Sequence, residues 1–144
     1  MHTPMDFYVK VPVDLYRRGG ANKPRFDYIR TSPPRDTAEK FDIKVKPNGS
    51  GGLVVDHKSG GLSLFNKLDY RAGEDWWLIP KGTDLPPGYT VTKDLTGSTF
   101  KGHYSIRAIS DVDLNKWKSD LGRWAEKNAV HMNSLTRKME GKNV

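Results

Sequence analysis

The 144-residue sequence has no cysteine and only four glutamates, Glu39, Glu74, Glu126 and Glu140. The first absence excludes disulfides and thiolate metal sites, and it fits a reducing compartment. The second leaves no clear carboxylate pair for glycoside chemistry. Hydrophobic residues are scarce, at 35%, and mean hydropathy is −0.71, so the fold is expected to be loop-rich with much polar surface. No apolar run reaches the roughly 18 residues of a transmembrane candidate, and no membrane insertion is expected. The opening MHTPMDFYVKVPVDLYRR has no basic segment leading into an apolar one, so no secretory signal peptide is expected. No HExxH or paired-histidine spacing occurs, so no metal site is expected. Neither a GK[ST] after a glycine loop nor a GxGxxG is present, which sets aside Walker and dinucleotide fingerprints.

What is present begins with charge. A formal net charge of +7 favours anionic partners: nucleic acid, an anionic cofactor or an acidic protein. The basic residues are dispersed, with no run of five, so no dedicated nucleic-acid groove is signalled. The 14 glycines and 9 prolines favour short strands and tight turns over long helices. Length predicts one domain over 1–144, with residues 1–12 as an N-terminal arm and 136–144 as a flexible tail.

Strands are expected at Val13–Gly20, Leu53–Asp56, Tyr89–Lys93 and Gly102–Ala108. Another is expected at Trp76–Ile79, a buried run stopped by Pro80. Phe7–Val11 reads as a strand or an ordered arm. Turns are expected at Lys46–Gly52, Ser59–Gly61, Pro80–Asp84 and Pro86–Gly88. Leu62–Phe65 opens an ordered segment that runs on as a short helix to Tyr70, and Asp36–Phe41 reads as a helical turn. Near the C-terminus, Ser110 and Asp113 resemble a capping box. Leu114, Trp117, Leu121 and Trp124 then recur at spacings of three and four, one apolar stripe on a helix. Met132 and Leu135 extend that stripe weakly, and Gly141 is a stop. Many short strands followed by one terminal helix define an α+β class with a mainly antiparallel sheet.

Several residues invite a chemical reading. Arg17, at a strand end before Gly19-Gly20, presents a guanidinium fork suited to phosphate or carboxylate, or else is a solvated strand-end arginine. Ser63 follows Gly60-Gly61 and either hydrogen-bonds a ligand, pins a neighbouring strand or sits in a plain turn. His103 and Ser105 face one side of their strand, Tyr104 and Ile106 the other. His103 is a base, a donor to a ligand or a satisfied structural group, and His57 beside Asp56 is a second candidate. His2 and His131 lie near the ends and are set aside. Asp56, Asp84 and Asp94 lie beside the expected sheet, with Asp84 assigned to a turn.

Three motifs in order, Gly60-Gly61-Leu62-Ser63-Leu64-Phe65, Ile79-Pro80-Lys81-Gly82-Thr83-Asp84-Leu85-Pro86-Pro87 and His103-Tyr104-Ser105-Ile106, resemble a known pattern. It is that of type VI secretion effector toxins of the ADP-ribosyltransferase-like "exported effector two" family. Leu15-Tyr16-Arg17 is similar to that family's first strand, and the resemblance spans residues 13–20 and 53–130. It implies a compact ADP-ribosyltransferase-like fold: a split, mainly antiparallel sheet around an NAD cleft, with short helices and a C-terminal helix. It also implies a cognate immunity protein and a type VI secretion delivery component, with the toxin made in one cytoplasm and acting in that of a target cell. By similarity, Arg17 meets a phosphate or ribose of NAD, Ser63 supports the nicotinamide side, and His103 with Tyr104 lines the cleft. The implied catalytic set is His103, Ser63 and Arg17; the implied NAD-binding set is Arg17, Gly61, Ser63, Phe65, His103 and Tyr104. Two departures stand out. Leu62 replaces the first of two hydroxyl residues after Gly-Gly, and no glutamate lies between Glu74 and Glu126, where transferases of this type carry one on a late strand. Asp94, another aspartate or His103 is left to take its role.

The expected function is an antibacterial effector that transfers ADP-ribose from NAD or hydrolyses NAD. The positive charge and the resemblance together lead us to expect an acidic immunity partner over the cleft. Two alternatives stay open: a metal-free ribonuclease toxin using His57 and His103, and a non-enzymatic toxin that binds an acidic protein.

Overall fold

A computed structural model describes residues 6–29, 43–67, 75–93 and 103–132. Its strands are β1 (Asp6–Tyr8), β2 (Leu15–Gly19), β3 (Val45–Pro47), β4 (Leu53–Val55), β5 (Leu62–Phe65), β6 (Asp75–Ile79), β7 (Tyr89–Lys93), β8 (His103–Ala108), β9 (Val112–Asp113) and β10 (Val130–His131); α1 (Leu114–Asn128) lies between the last two. Seven strands form one sheet in the order β1-β7-β8-β5-β2-β6-β10, and β3-β4-β9 form a second. Each named pairing is antiparallel. The expected α+β architecture is thus present, with the strands divided between two sheets.

Period-2 alternation decides which face of the large sheet is dry. Leu15, Leu62, Leu64, Ile79, Tyr89, Val91, Tyr104, Ile106 and Ala108 all point into one core cluster. The helix supplies its stripe, Leu114, Trp117, Leu121, Trp124 and Ala125, to the same cluster. Val55 of β4 joins from the small sheet, so one core serves both sheets. Polar anchors fix the helix to the strands. The Trp124 indole N–H donates to the Asp84 carbonyl at 2.7 Å, and the Tyr89 hydroxyl donates to the Asp120 carboxylate at 2.9 Å. Burial pushes the Tyr89 phenol up, and the Asp120 hydrogen bond adds to the shift, so this hydroxyl keeps its proton and acts as a donor.

The helix begins later than the sequence suggests. Val112–Asp113 pairs with β4, so Ser110 lies before a strand and the cap is Asp113. Its carboxylate accepts the N–H groups of Asn115 and Lys116 at 2.9 and 3.2 Å, satisfying two orphan donors of the first turn. Asp113→Ala is expected to destabilise the protein by about 1 kcal/mol. A thermal denaturation curve followed by circular dichroism reads this as a fall of about 2–4 °C.

The helix also ends earlier than the extended stripe implies. After Asn128 the chain turns into β10, which pairs with β6. Met132 therefore leaves the helix stripe and packs with Trp76 and Leu78 on the opposite face of the sheet. The segment opened by Leu62 is strand β5 over Leu62–Phe65, and residues 68–70 lie outside the described residues. Val45–Pro47, partly read as a turn, is strand β3. Asp36–Phe41, Leu135 and Gly141 lie outside the described residues. No helix among the described residues is long and apolar enough to cross a membrane.

Candidate active site

The face of the large sheet turned away from the helix is built from polar and aromatic residues in register. Leu78, Tyr16, Phe65 and His103 lie abreast across β6, β2, β5 and β8. Ser63, Ser105 and Thr92 form the next row across β5, β8 and β7. Arg107 follows two residues after Ser105, opposite Thr90, and Arg18 shares this face two residues after Tyr16. Adjacent strands lie about 4.8 Å apart, so the hydroxyls recur at near-regular intervals, and of the three residues only Ser63 is partly exposed.

Burial grades across this surface. Thr92 and Ser105 are 0% and 3% exposed, whereas Ser63 and His103 are half-buried. Phe65 is 37% exposed, and its ring meets His103 edge-on at 5.3 Å between centroids. The Arg107 Nε–H donates to Thr92 Oγ1 at 2.8 Å. The Thr90 hydroxyl donates to the Tyr8 carbonyl at 2.9 Å, tying edge strand β1 to this face.

Arg17 lies on the other face, because Tyr16 pairs with Phe65 and alternation turns its successor inward. Its Nη1 donates to the Ser63 carbonyl at 2.9 Å and its Nη2 to the Tyr28 carbonyl at 3.1 Å. The guanidinium also stacks over Phe26, 5.9 Å from the ring centroid. Arg17 thus braces the backbone of β5 beneath Ser63. Tyr104 likewise belongs to the buried core, on the face opposite His103. The structure brings Ser63, Phe65 and His103 onto one surface, and places Arg17 and Tyr104 behind it.

Gly61 is a spacing residue. A Cβ there would lie well inside contact with the Ile106 carbonyl oxygen and 2.9 Å from Arg107 Cγ. The absence of a side chain lets β5 close on β8 and leaves room for the Arg107 stem.

His57 sits elsewhere, in the turn after β4. Its backbone N–H and its Nδ1 both meet Asp111 Oδ1, while Lys46 donates to Asp111 Oδ2 at 2.8 Å. The Lys46 ammonium, then His57, hold the Asp111 carboxyl well below the usual range, and Asp111 raises Lys46 in return. Asp56, His57 and Asp111 bring three potential ligand atoms within 4.8 Å, but both Asp111 oxygens are already engaged in this clip across the small sheet. His57 lies in the turn after β4 beside the small sheet, whereas His103 opens β8 of the large one.

Sequence reasoning passed over Arg18, Arg107 and Thr92. For Arg107 and Thr92 the signal is the alternation Thr90-Thr92 in β7 and His103-Ser105-Arg107 in β8, two polar stripes facing one way. It also set aside His131, whose Nε2 lies 2.9 Å from Asp75 Oδ1 and whose ring lies 4.8 Å from that of Trp77. That contact exists only because β10 docks on β6. Among the described residues the single glutamate is Glu126, exposed on α1; Asp94 lies outside them.

No curated protein gives a significant match to this chain. A family model described as Tse2 ADP-ribosyltransferase toxin matches residues 13–135, a span that holds β2 through β10. The chain belongs to the Tse2 ADP-ribosyltransferase toxin family.

Proposed function

We propose that the polar face of the large sheet is the NAD-binding surface of an ADP-ribose-transferring toxin. The observation that carries this reading is the register itself. It sets half-buried Ser63 beside the Phe65–His103 ring pair, with Ser105 and Thr92 buried farther along the same row. NAD presents a flat cationic ring, two hydroxyl-bearing riboses and an anionic pyrophosphate, and the residues of this face suit those parts. When bound, NAD supplies an ADP-ribosyl group attached to a cationic nicotinamide leaving group.

The chain's own residues would act mainly by position and electrostatics. Phe65 and His103 would seat the planar ring, and Ser63 would hydrogen-bond beside it. Arg17 is a positioning residue in this scheme, because it holds the Ser63 carbonyl and so fixes β5. His103, half-buried against Phe65, is the titratable group placed to exchange a proton with a bound molecule. We further read the protein as a type VI secretion effector acting in the cytoplasm of a target cell. The net charge of +7 suits an acidic immunity partner that covers this face.

The test is incubation of the purified protein with NAD, with and without lysate of susceptible cells, following free nicotinamide and labelled product. Ser63→Ala and His103→Ala are expected to keep the native circular dichroism spectrum while turnover falls at least about 100-fold. A protein that kills cells yet yields neither nicotinamide nor product would falsify the reading. So would unchanged turnover in both variants.

A further inference from the structure

We infer that the loop over residues 20–28, which follows β2, is a docking surface for a single-stranded nucleic acid, with Lys23 and Arg25 on its phosphates and the Tyr28 ring on a base. The loop is fixed from beneath. The Gly20 N–H donates to the Lys23 carbonyl at 2.8 Å, and the Tyr28 N–H donates to the Arg25 carbonyl at 3.2 Å. The Trp77 indole donates to the Gly20 carbonyl at 2.9 Å, and Arg17 donates to the Tyr28 carbonyl at 3.1 Å. Pro24 is buried over Gly19, where a Cβ would lie 2.8 Å from the Pro24 carbonyl carbon. Phe26 is 1% exposed and meets Trp124 edge-on at 6.1 Å between centroids.

The residues between these anchors face outward. Lys23, Arg25 and Asp27 are exposed, and Tyr28 is 65% exposed. Arg25 has a φ of 62°, a left-handed conformation that glycine takes freely and arginine does not. The turn itself would be better served by glycine, so the fold supplies no reason for a guanidinium there. The side chains of Lys23 and Arg25 make no hydrogen bond or ion pair among the described residues. Tyr28 spends its carbonyl inside the molecule and leaves its ring outside. Two unengaged cations beside an exposed flat ring favour a nucleic-acid strand over an acidic protein. Phosphates meet the cations while a base stacks on the ring, whereas an acidic surface satisfies the cations alone. A loop fixed in advance also loses less entropy on binding. The net charge of +7 draws a polyanion in, and Asp27, the one acid between residues 20 and 28, opposes it.

The test is fluorescence anisotropy on the full chain with three labelled probes: a mixed-sequence RNA of about 12 nucleotides, an abasic phosphodiester strand of equal length and a polyglutamate peptide. Salt is varied from about 50 to about 200 mM. The wild type is expected to bind the RNA with log K falling against log salt at a slope of about −1.4 or steeper, two phosphates at about −0.7 each. Arg25→Gly relieves the backbone as it removes the charge. Its urea midpoint is expected at or above that of wild type, its slope shallower by about 0.7 and its affinity about 3- to 10-fold weaker. Tyr28→Ala keeps the carbonyl that Arg17 holds. Its affinity is expected to fall about 10-fold or more at an unchanged slope, to the level at which wild type binds the abasic strand. Asp27→Asn is expected to tighten binding. RNA affinity equal to wild type in both Arg25→Gly and Tyr28→Ala overturns the inference. So does a wild type that binds no RNA, and so does polyglutamate binding as tight as RNA binding with the same dependence on Arg25, which assigns the loop to an acidic protein. NAD turnover plays no part in this inference: RNA binding without turnover sustains the loop and removes the NAD reading, and turnover without RNA binding does the reverse.

Discussion

Replacing Trp117 with alanine is expected to cost about 3–5 kcal/mol and to lower the melting temperature by roughly 10 °C. Trp117 is 1% exposed and occupies the centre of the helix stripe, between Leu114 and Leu121. The core it fills is shared by α1, the large sheet and Val55 of the small one. Truncation therefore opens a cavity in that shared core. The indole also carries a penalty. Its Nε1 is buried and has no hydrogen-bond partner among the described residues, and an unmade bond of this kind costs about 1–3 kcal/mol. Trp117→Phe should accordingly lose less than its change in volume indicates. Urea denaturation of both variants separates the two effects. An alanine variant within about 1 kcal/mol of wild type would show that the cavity collapses freely.

The second large effect is expected at Gly61. Even Gly61→Ala sets a Cβ against the Ile106 carbonyl, with the carbonyl carbon only 3.0 Å away. The colliding atoms are backbone, so no rotamer change relieves them. Leu62 pairs with Ile106 in the next position of the β5–β8 ladder, and relief requires parting those strands. Overpacking of ordinary sites costs about 1–3 kcal/mol; a backbone collision inside a ladder is expected at or above the top of that range. Parting β5 from β8 also pulls Ser63 from Ser105 and tilts Arg107. A folded Gly61→Ala protein with a wild-type urea midpoint would contradict the described register.

The sequence revealed those elements whose own composition decides their state. Trp76–Ile79 is a buried run that Pro80 ends, Tyr89–Lys93 alternates, and the Leu114–Trp124 stripe has a helical period; all three appear as expected. The short strands β9 and β10 carry no such signal, because two residues form a strand only when a partner edge is present. The cap was misplaced for the same reason: Ser110 and Asp113 are both good caps, and pairing of Val112–Asp113 with β4 selects the second. The geometry of the candidate site was legible in part. Ser63, Phe65 and His103 can be read from their motifs, and the opposed directions of His103 and Tyr104 follow from alternation. The face occupied by Arg17 does not, since it depends on which residue of β2 lies opposite Phe65. Arg107 and Thr92 were visible as alternation, but their meaning required knowing that β7 and β8 are neighbours.

The strand order β1-β7-β8-β5-β2-β6-β10 has a consequence for the birth of the molecule. Among the neighbours in this sheet, only β7 and β8 are consecutive strands in the chain. β2 must wait for β5 and β6, and β5 for β8. During synthesis the polar face cannot assemble until His103–Ala108 has left the ribosome, and β6 keeps an open edge until Val130 arrives. Sheets dominated by such distant pairings fold in milliseconds to seconds rather than microseconds. A nascent chain of this protein therefore carries β2 and β5 well before their shared sheet face exists.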